Sequence, residues 1–374
     1  MLRATFALVA LCLGLSLVAA QPPAPAPAVT MDDIKKAWQE RQDKVKTLKL
    51  SWKQVMIKPM GSMDNFIRHA RDASIKAPQP ARDVRLVGEA DLILAQDRFR
   101  FDSRRETWFM GSQSIQPFRK TALYDGKDYR HQENSYTEPE RDQAAVQSTS
   151  RSSMELELLE LKPIWWCARG AKNLLGQDSL ADYEVTGQSI QIRGTRCVMV
   201  ESKVRSNNVV DRLAIAVGSY LPLQYTHIRN GRSVVQIDVE YDKLIGESLV
   251  PSKWRYTTNR TEGRTDESFE ATVTACDIGS SVPDSAFQLS SRPGTVVVDT
   301  RQNIERIALV LPDGTTSDSV DRRTVTTYED LVAATKHAQT RWLWLVASLA
   351  FVALTSVIYL ASRRRHRRNL RSVS

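Results

Sequence analysis

Between residues 183 and 277, apolar side chains return at every second position in one stretch after another: 183–192, 196–205, 209–217, 221–229, 233–242, 250–258 and 266–277. A period of two places alternate side chains on opposite faces of a pleated strand. A chain that repeats this pattern, with turn residues between the repeats, is held to an antiparallel meander with one apolar face. Asn230-Gly231 is the strongest hairpin signal, because both central positions of a type I′ turn need φ > 0. After it Val235, Ile237, Val239 and Tyr241 face one way, and Gln236, Asp238 and Glu240 the other. The same alternation runs through Val84, Leu86, Gly88, Ala90, Leu92 and Leu94, and resumes at Phe99 and Phe101 after a turn at Gln96-Asp97. Asp125-Gly126 signals a further turn before Tyr129.

Helices are few. Thr30 is placed to cap a first helix, Asp32 and Asp33 suit its first turn, and Ile34, Trp38, Gln42, Val45 and Leu48 approximate its buried stripe. From Leu48 the period changes, and Leu48, Leu50, Trp52 and Gln54 alternate as a strand. Residues 58–82 read as an insertion with a short helix over 63–73, and the polar stretch 138–150 reads as loop. Residues 152–161 suggest a helix stopped by Pro163, followed by a second over 164–175. Later come a strand over 304–311, a turn at Pro312-Asp313-Gly314 and a helix over 327–340. The fold class is therefore α+β: a strongly curved antiparallel sheet, an incomplete β-barrel, with covering helices and one C-terminal transmembrane helix.

The two ends set the expected topology. Residues 1–20 have the parts of a secretory signal: Arg3, an apolar run from Phe6 to Val18, and the small-residue site Val18-Ala19-Ala20. Residues 21–30 form a Pro-rich spacer, since four prolines there oppose helix and sheet alike. Trp342 to Ser362 carries no charge over 21 residues. At about 1.5 Å per residue such a helix spans roughly one hydrocarbon core, with Trp342, Trp344 and Tyr359 near its two interfaces. Six arginines follow in 363–374. Each costs ~2.5–3.5 kcal/mol at a bilayer centre, so the block halts translocation and stays on the cytoplasmic side. The expectation is a single-pass cell-membrane protein with a periplasmic N-terminal domain over 31–299, a juxtamembrane segment over 300–341 and a cytoplasmic C-terminus.

The net charge of +9 gives no nucleic-acid footprint. Apart from Arg3 and the C-terminal arginines the chain is close to neutral, without a basic stripe carrying interleaved aromatics. Catalytic motifs are missing too: there is no HExxH, GxSxG, Walker loop or GxGxxG, and the histidines His69, His131, His227, His337 and His366 are scattered. His131 and His227 fall on strands, where a solvated or hydrogen-bonded role fits, and Trp165-Trp166 suits core packing or an apolar pocket. Cys167, Cys197 and Cys276 are too far apart in sequence for a zinc motif, and are read equally as buried thiols or as one bridge with a thiol left over. No enzyme activity, cofactor or metal is expected.

These residues resemble the outer-membrane lipoprotein-carrier family (LolA/LolB-like). The resemblance rests on the helix-strand opening Met31 to Val55, and on Gly88 followed by alternating apolars to Arg98-Phe99-Arg100-Phe101. It rests also on Tyr124-Asp125-Gly126-Lys127, and most specifically on Pro283-Asp284-Ser285-Ala286-Phe287-Gln288-Leu289 with Pro293-Gly294-Thr295-Val296-Val297-Val298-Asp299. It departs from the family in lacking a proline before the Phe-Arg pair, where Ala95-Gln96 stand, and in its C-terminal apolar run. What the resemblance implies is a half-barrel whose inner face binds lipid, acyl chains or a lipoprotein, with Arg100 matching the family's inward-pointing arginine. Alternation then nominates Leu92, Leu94, Phe99, Phe101, Val235, Ile237 and Val239 as the apolar lining. The same fold also serves the periplasmic sigma-factor regulator RseB, so an envelope sensor or scaffold that binds another protein is the alternative.

Overall fold

The computed structural model describes residues 29–60, 82–109, 114–134, 142–148, 159–168, 183–202, 208–245, 247, 249–259, 267–301, 304–325 and 327–371. Helix α1 (Met31–Lys44) opens on a reciprocal cap. The Asp33 amide donates to Thr30 Oγ1 at 3.2 Å, and the Thr30 amide donates back to the Asp33 carboxylate at 2.9 Å. Ile34, Trp38, Arg41 and Gln42 form its buried side.

The strands follow in two runs. The first comprises β1 (Thr47–Lys58), β2 (Val84–Ala95), β3 (Arg98–Phe109), β4 (Ser114–Tyr124), β5 (Asp128–Asn134) and β6 (Asp142–Ser148). A short 3₁₀ turn (Leu159–Leu161) leads into α2 (Lys162–Ala168). The second run comprises β7 (Tyr183–Ile192), β8 (Thr195–Ser202), β9 (Val209–Ala216), β10 (Pro222–Arg229), β11 (Arg232–Glu240), β12 (Lys253–Thr258) and β13 (Glu267–Ile278). A 3₁₀ turn at Asp284–Phe287 precedes β14 (Val296–Asp299), β15 (Arg306–Leu309) and β16 (Val320–Asp321), and α3 (Tyr328–Arg371) ends the described chain.

Among the described residues all sixteen strands belong to one large, curved, open sheet, ordered β16-β15-β14-β6-β5-β4-β3-β2-β1-β13-β12-β11-β10-β9-β8-β7. β13 returns to pair with β1, and so joins the two meanders in the middle of the sheet. Every pairing is antiparallel except β14 with β6. Between Ser51 and Trp52 the β1–β13 register slips by one residue, and such a bulge adds local twist and bend.

One face of this sheet holds the core. Leu48, Leu50, Trp52 and Met56 of β1, Leu86, Ala90, Leu92 and Leu94 of β2, and Phe99 and Phe101 of β3 form a single cluster with Leu213, Ile215, Tyr225, Ile237, Val239, Trp254 and Phe269. Ile34 and Trp38 of α1 and Ile164 and Trp165 of α2 belong to the same cluster, so the helices cover this inner face. Trp52 stacks on Phe101 and meets Trp254 edge-on, while Trp165 meets Phe99 edge-on.

Several expectations need correction. The polar stretch 138–150 holds β6, a strand that apolar alternation does not reveal. It is fixed by partners on both sides, β5 and β14, and by the burial of Ala144 and Ala145. Pro163 does not end a helix but sits in the first turn of α2, where a missing N–H costs nothing. The expected helix over 152–161 lies outside the described residues up to 158 and is a 3₁₀ turn beyond; 169–175, the 58–82 insertion from 61 to 81, and the signal lie outside as well. Cys167, Cys197 and Cys276 are free thiols. α3 covers the C-terminal apolar run, yet among the described residues no helix is long and apolar enough to cross a membrane, so the transmembrane helix is not shown by this structure.

The β10–β11 turn has the geometry its sequence demands: φ is +52° at Asn230 and +75° at Gly231. No atom lies within 4 Å of the position a Cβ would take on Gly231, so a substitution there meets only backbone strain. Gly231→Val should therefore lower stability by about 1–2 kcal/mol. An unchanged urea midpoint would remove the left-handed turn from the account.

Candidate functional site

The inner face gathers most of the nominated residues. Leu92, Leu94, Phe99, Phe101, Ile237 and Val239 are all buried in the central cluster, and Val235 is half-buried against it. Arg100 is not among them. Alternation puts it on the outer face, where it is paired with Asp102 at 2.6 Å and donates to the carbonyls of Ala286 and Gln288 at 3.2 and 3.3 Å. Arg98 lies over the Phe287 ring and pairs with Asp284 at 2.8 Å. The Arg-Phe-Arg-Phe motif thus divides its work: the two phenylalanines build the core, and the two arginines clasp the closing segment 284–288 to the back of β3.

The arginine that does face inward is Arg105, in phase with Phe99, Phe101 and Ser103. Its register partner is Gly88, and an added Cβ there would lie 2.5 Å from Arg105 Cβ. Arg105 reaches Glu160 at 3.8 Å and lies against the Phe118 ring. Glu160 is buried, and burial raises its carboxyl above the ordinary value although Arg105 and Lys120 pull it down. Beside them the Gln54 amide donates to Ser103 Oγ at 3.0 Å and the Trp52 indole to Gln54 Oε1 at 3.3 Å.

A second polar group lies on the other half of the inner face. Asp211, in phase with Leu213 and Ile215 on β9, accepts from Tyr225 Oη at 2.6 Å and from His227 Nδ1 at 2.7 Å. Its own amide donates to Ser202 Oγ at 2.8 Å. Lys162 donates to Tyr225 Oη at 3.2 Å and lies 4.7 Å from the centre of its ring. Burial pushes the Asp211 carboxyl up, but the bonds from His227 and Tyr225 and the charge of Lys162 outweigh it, and its pKa falls below 3.8.

These two groups share the short segment 159–168. Glu160 ties it to β3, Lys162 ties it to β10, and Leu161, Ile164 and Trp165 press between them onto the sheet. Sequence reasoning missed Arg105, Glu160, Lys162 and Asp211. Arg105 and Asp211 carry a readable signal, since Arg105 lies two alternation steps beyond Phe101 and Asp211 one step before Leu213; Glu160 and Lys162 carry none, because that segment has no period of two. Among the described residues no cluster of His, Cys, Asp and Glu has the arrangement of a metal site.

No family model matches this chain, and no curated protein matches it. Among solved structures it is similar to a DUF1329 family protein from Desulfovibrio piger, at 10% identity over 70% of this chain and 98% of that one, with a TM-score of 0.41. It is similar also to a LolA superfamily protein from Nitrosomonas europaea, at 12% identity over 70% and 99% of the two chains, with a TM-score of 0.38. A putative outer membrane lipoprotein-sorting protein domain from Vibrio parahaemolyticus shares 9% identity over 69% and 97%, with a TM-score of 0.40. Likenesses this distant assign no function.

Proposed function

We propose that this chain is a non-enzymatic envelope protein that binds lipid, acyl chains or the acyl end of a lipoprotein on the inner face of its sheet. One observation carries the reading: beside α1, a broad apolar face is covered at Trp165 by a helix described over the seven residues Lys162–Ala168. A short helical segment depends on its packing for stability, so Lys162–Ala168 is held by what it touches on the sheet. An acyl chain lifting it would exchange one apolar surface for another, and each buried CH₂ contributes ~0.8 kcal/mol. A chain of ordinary length thereby offsets the loss of the Trp165 contacts and the cost of association.

Membrane tethering belongs to the same proposal. The uncharged run 342–362, followed by six arginines, supports it. So does the exposure of Trp344, Leu349, Phe351, Leu354 and Val357 on α3, an apolar surface that water disfavours. The domain over 31–299 would then lie on the periplasmic side and the basic tail in the cytoplasm.

The test is photo-crosslinking of the full chain with a diazirine fatty acid. Adducts are expected on inner-face residues such as Leu92, Phe99 and Ile237, with loss of labelling when unlabelled lipid competes. Adducts confined to α3 would mean that the helix meets bulk lipid and that the sheet binds none; a partner protein would then be the ligand to seek.

A further inference from the structure

The apolar strip Val235, Ile237, Val239 ends at Tyr241, and α1 sets a guanidinium beside that end. Arg41 is 6% exposed. Its Nη2 donates to the Ser219 carbonyl at 3.1 Å, while its buried Nη1 has no acceptor among the described residues. Among the described residues no carboxylate lies within ion-pair distance of it. Neighbouring Trp38 also spends its indole N–H on this hairpin, donating to the Tyr220 carbonyl at 2.8 Å. Two groups near Arg41 titrate, the Cys167 thiol and the Tyr241 hydroxyl, which lie 3.0 Å apart. Burial pushes both up, Tyr241 strongly, so neither supplies an anion at neutral pH. A guanidinium does not escape burial by losing its proton, and a buried cation without a counter-charge is disfavoured. The fold nevertheless holds one here, with its unused donor in the interior.

We propose that Arg41 is the head-group anchor of the ligand site, pairing with the oxyanion of an amphiphile whose hydrocarbon chain lies along Val239 and Ile237. The inference rests on the acyl-binding reading above and narrows it to anionic amphiphiles, carboxylates or phosphates. Placement supports it. A strand advances about 3.3 Å per residue, so the strip from Tyr241 back to Val235 runs roughly 20 Å, close to the length of an extended long-chain fatty acid. Arg41 stands at one end, and the hydrogen-bonded group of Asp211, His227 and Tyr225 closes the other. The planar fork of a guanidinium suits a carboxylate or phosphate better than any neutral head.

The experiment uses the full chain in amphipol, with palmitate, hexadecanol and inorganic phosphate as probes. Palmitate should bind at least about tenfold more tightly than hexadecanol, which has the same chain without the charge. Arg41→Gln should abolish that preference by weakening palmitate alone, and Arg41→Lys should keep part of it. Without ligand, Arg41→Gln should melt at a higher temperature than the parent, since it removes an uncompensated charge. Equal binding of palmitate and hexadecanol by the parent chain overturns the anchor but leaves the apolar site standing. Binding of neither removes the apolar site and the anchor together. Phosphate that raises the melting temperature only when Arg41 is present, without displacing palmitate, reassigns the corner to a free anion and overturns the amphiphile. A lower melting temperature in Arg41→Gln with unchanged palmitate preference reduces Arg41 to a clamp on the 219–220 turn.

Discussion

Replacing Asp211 with alanine should cost the folded chain about 3–5 kcal/mol, the usual loss when one partner of a buried charged network is removed. Asp211 is buried and serves three neighbours at once. It accepts from Tyr225 and His227, and its carboxylate feels the charge of Lys162. Truncation leaves a buried phenol and an imidazole without this acceptor, and removes a negative charge whose field Lys162 shares. Because Lys162 opens α2, the loss should also loosen that helix. Hydrogen exchange in 162–168 should therefore rise more than in β1. The carboxyl is held below 3.8, so its stabilisation is complete above that value and is lost as pH falls through its folded-state pKa. Urea titrations stepped downward from pH 7 into acid should show the parent chain losing this contribution, and Asp211→Asn losing less. A cost below about 1 kcal/mol at pH 7 would show that the network is solvated and does not hold α2.

The sheet was legible because its signal is local and repeated. Seven alternating stretches between 183 and 277 correspond to β7 through β13, and the Asn230-Gly231 turn falls at the expected place. β6 was not legible: Asp142 to Ser148 has no apolar alternation, and it becomes a strand only because β5 and β14 present edges on either side. The site was half legible. Period two identified Phe99, Phe101, Ile237 and Val239 as inner-face residues, but family resemblance assigned the inward arginine to Arg100. The motif's own alternation puts Arg100 behind the sheet and Arg105 inside it. Arg41 was out of reach for another reason. In sequence it reads as an exposed helix charge near the C-terminal turn, and only the docking of α1 on the 219–220 turn buries it.

Gly88→Ala should lower stability by about 2–3 kcal/mol, against the sign such a change has at most strand positions. Glycine inside a strand is ordinarily a liability, and alanine there gains about 0.5–1 kcal/mol by restricting the unfolded chain. At position 88 the balance reverses. The added Cβ would sit 2.5 Å from Arg105 Cβ, 2.6 Å from the Arg104 carbonyl oxygen and 2.7 Å from Arg105 Cα. Facing Cβ atoms on antiparallel strands normally stand ~4.5–5.5 Å apart, so β2 and β3 approach here as only a glycine allows. None of the three opposing atoms is the free end of a side chain. Relief therefore requires the two strands to part, which moves Arg105 away from Glu160 and withdraws a polar tie on the 159–168 segment. Gly231 provides the internal comparison, because nothing lies within 4 Å of its would-be Cβ and its cost comes from φ alone. The measurement is a pair of urea titrations, Gly88→Ala and Gly231→Ala, with hydrogen exchange read across 159–168 in each. Gly88→Ala should be the more destabilising and should raise exchange in that segment; Gly231→Ala should leave the segment protected. A neutral or stabilising Gly88→Ala would mean that β2 and β3 stand at ordinary separation, and the inward placement of Arg105 against Glu160 would fall with that close approach.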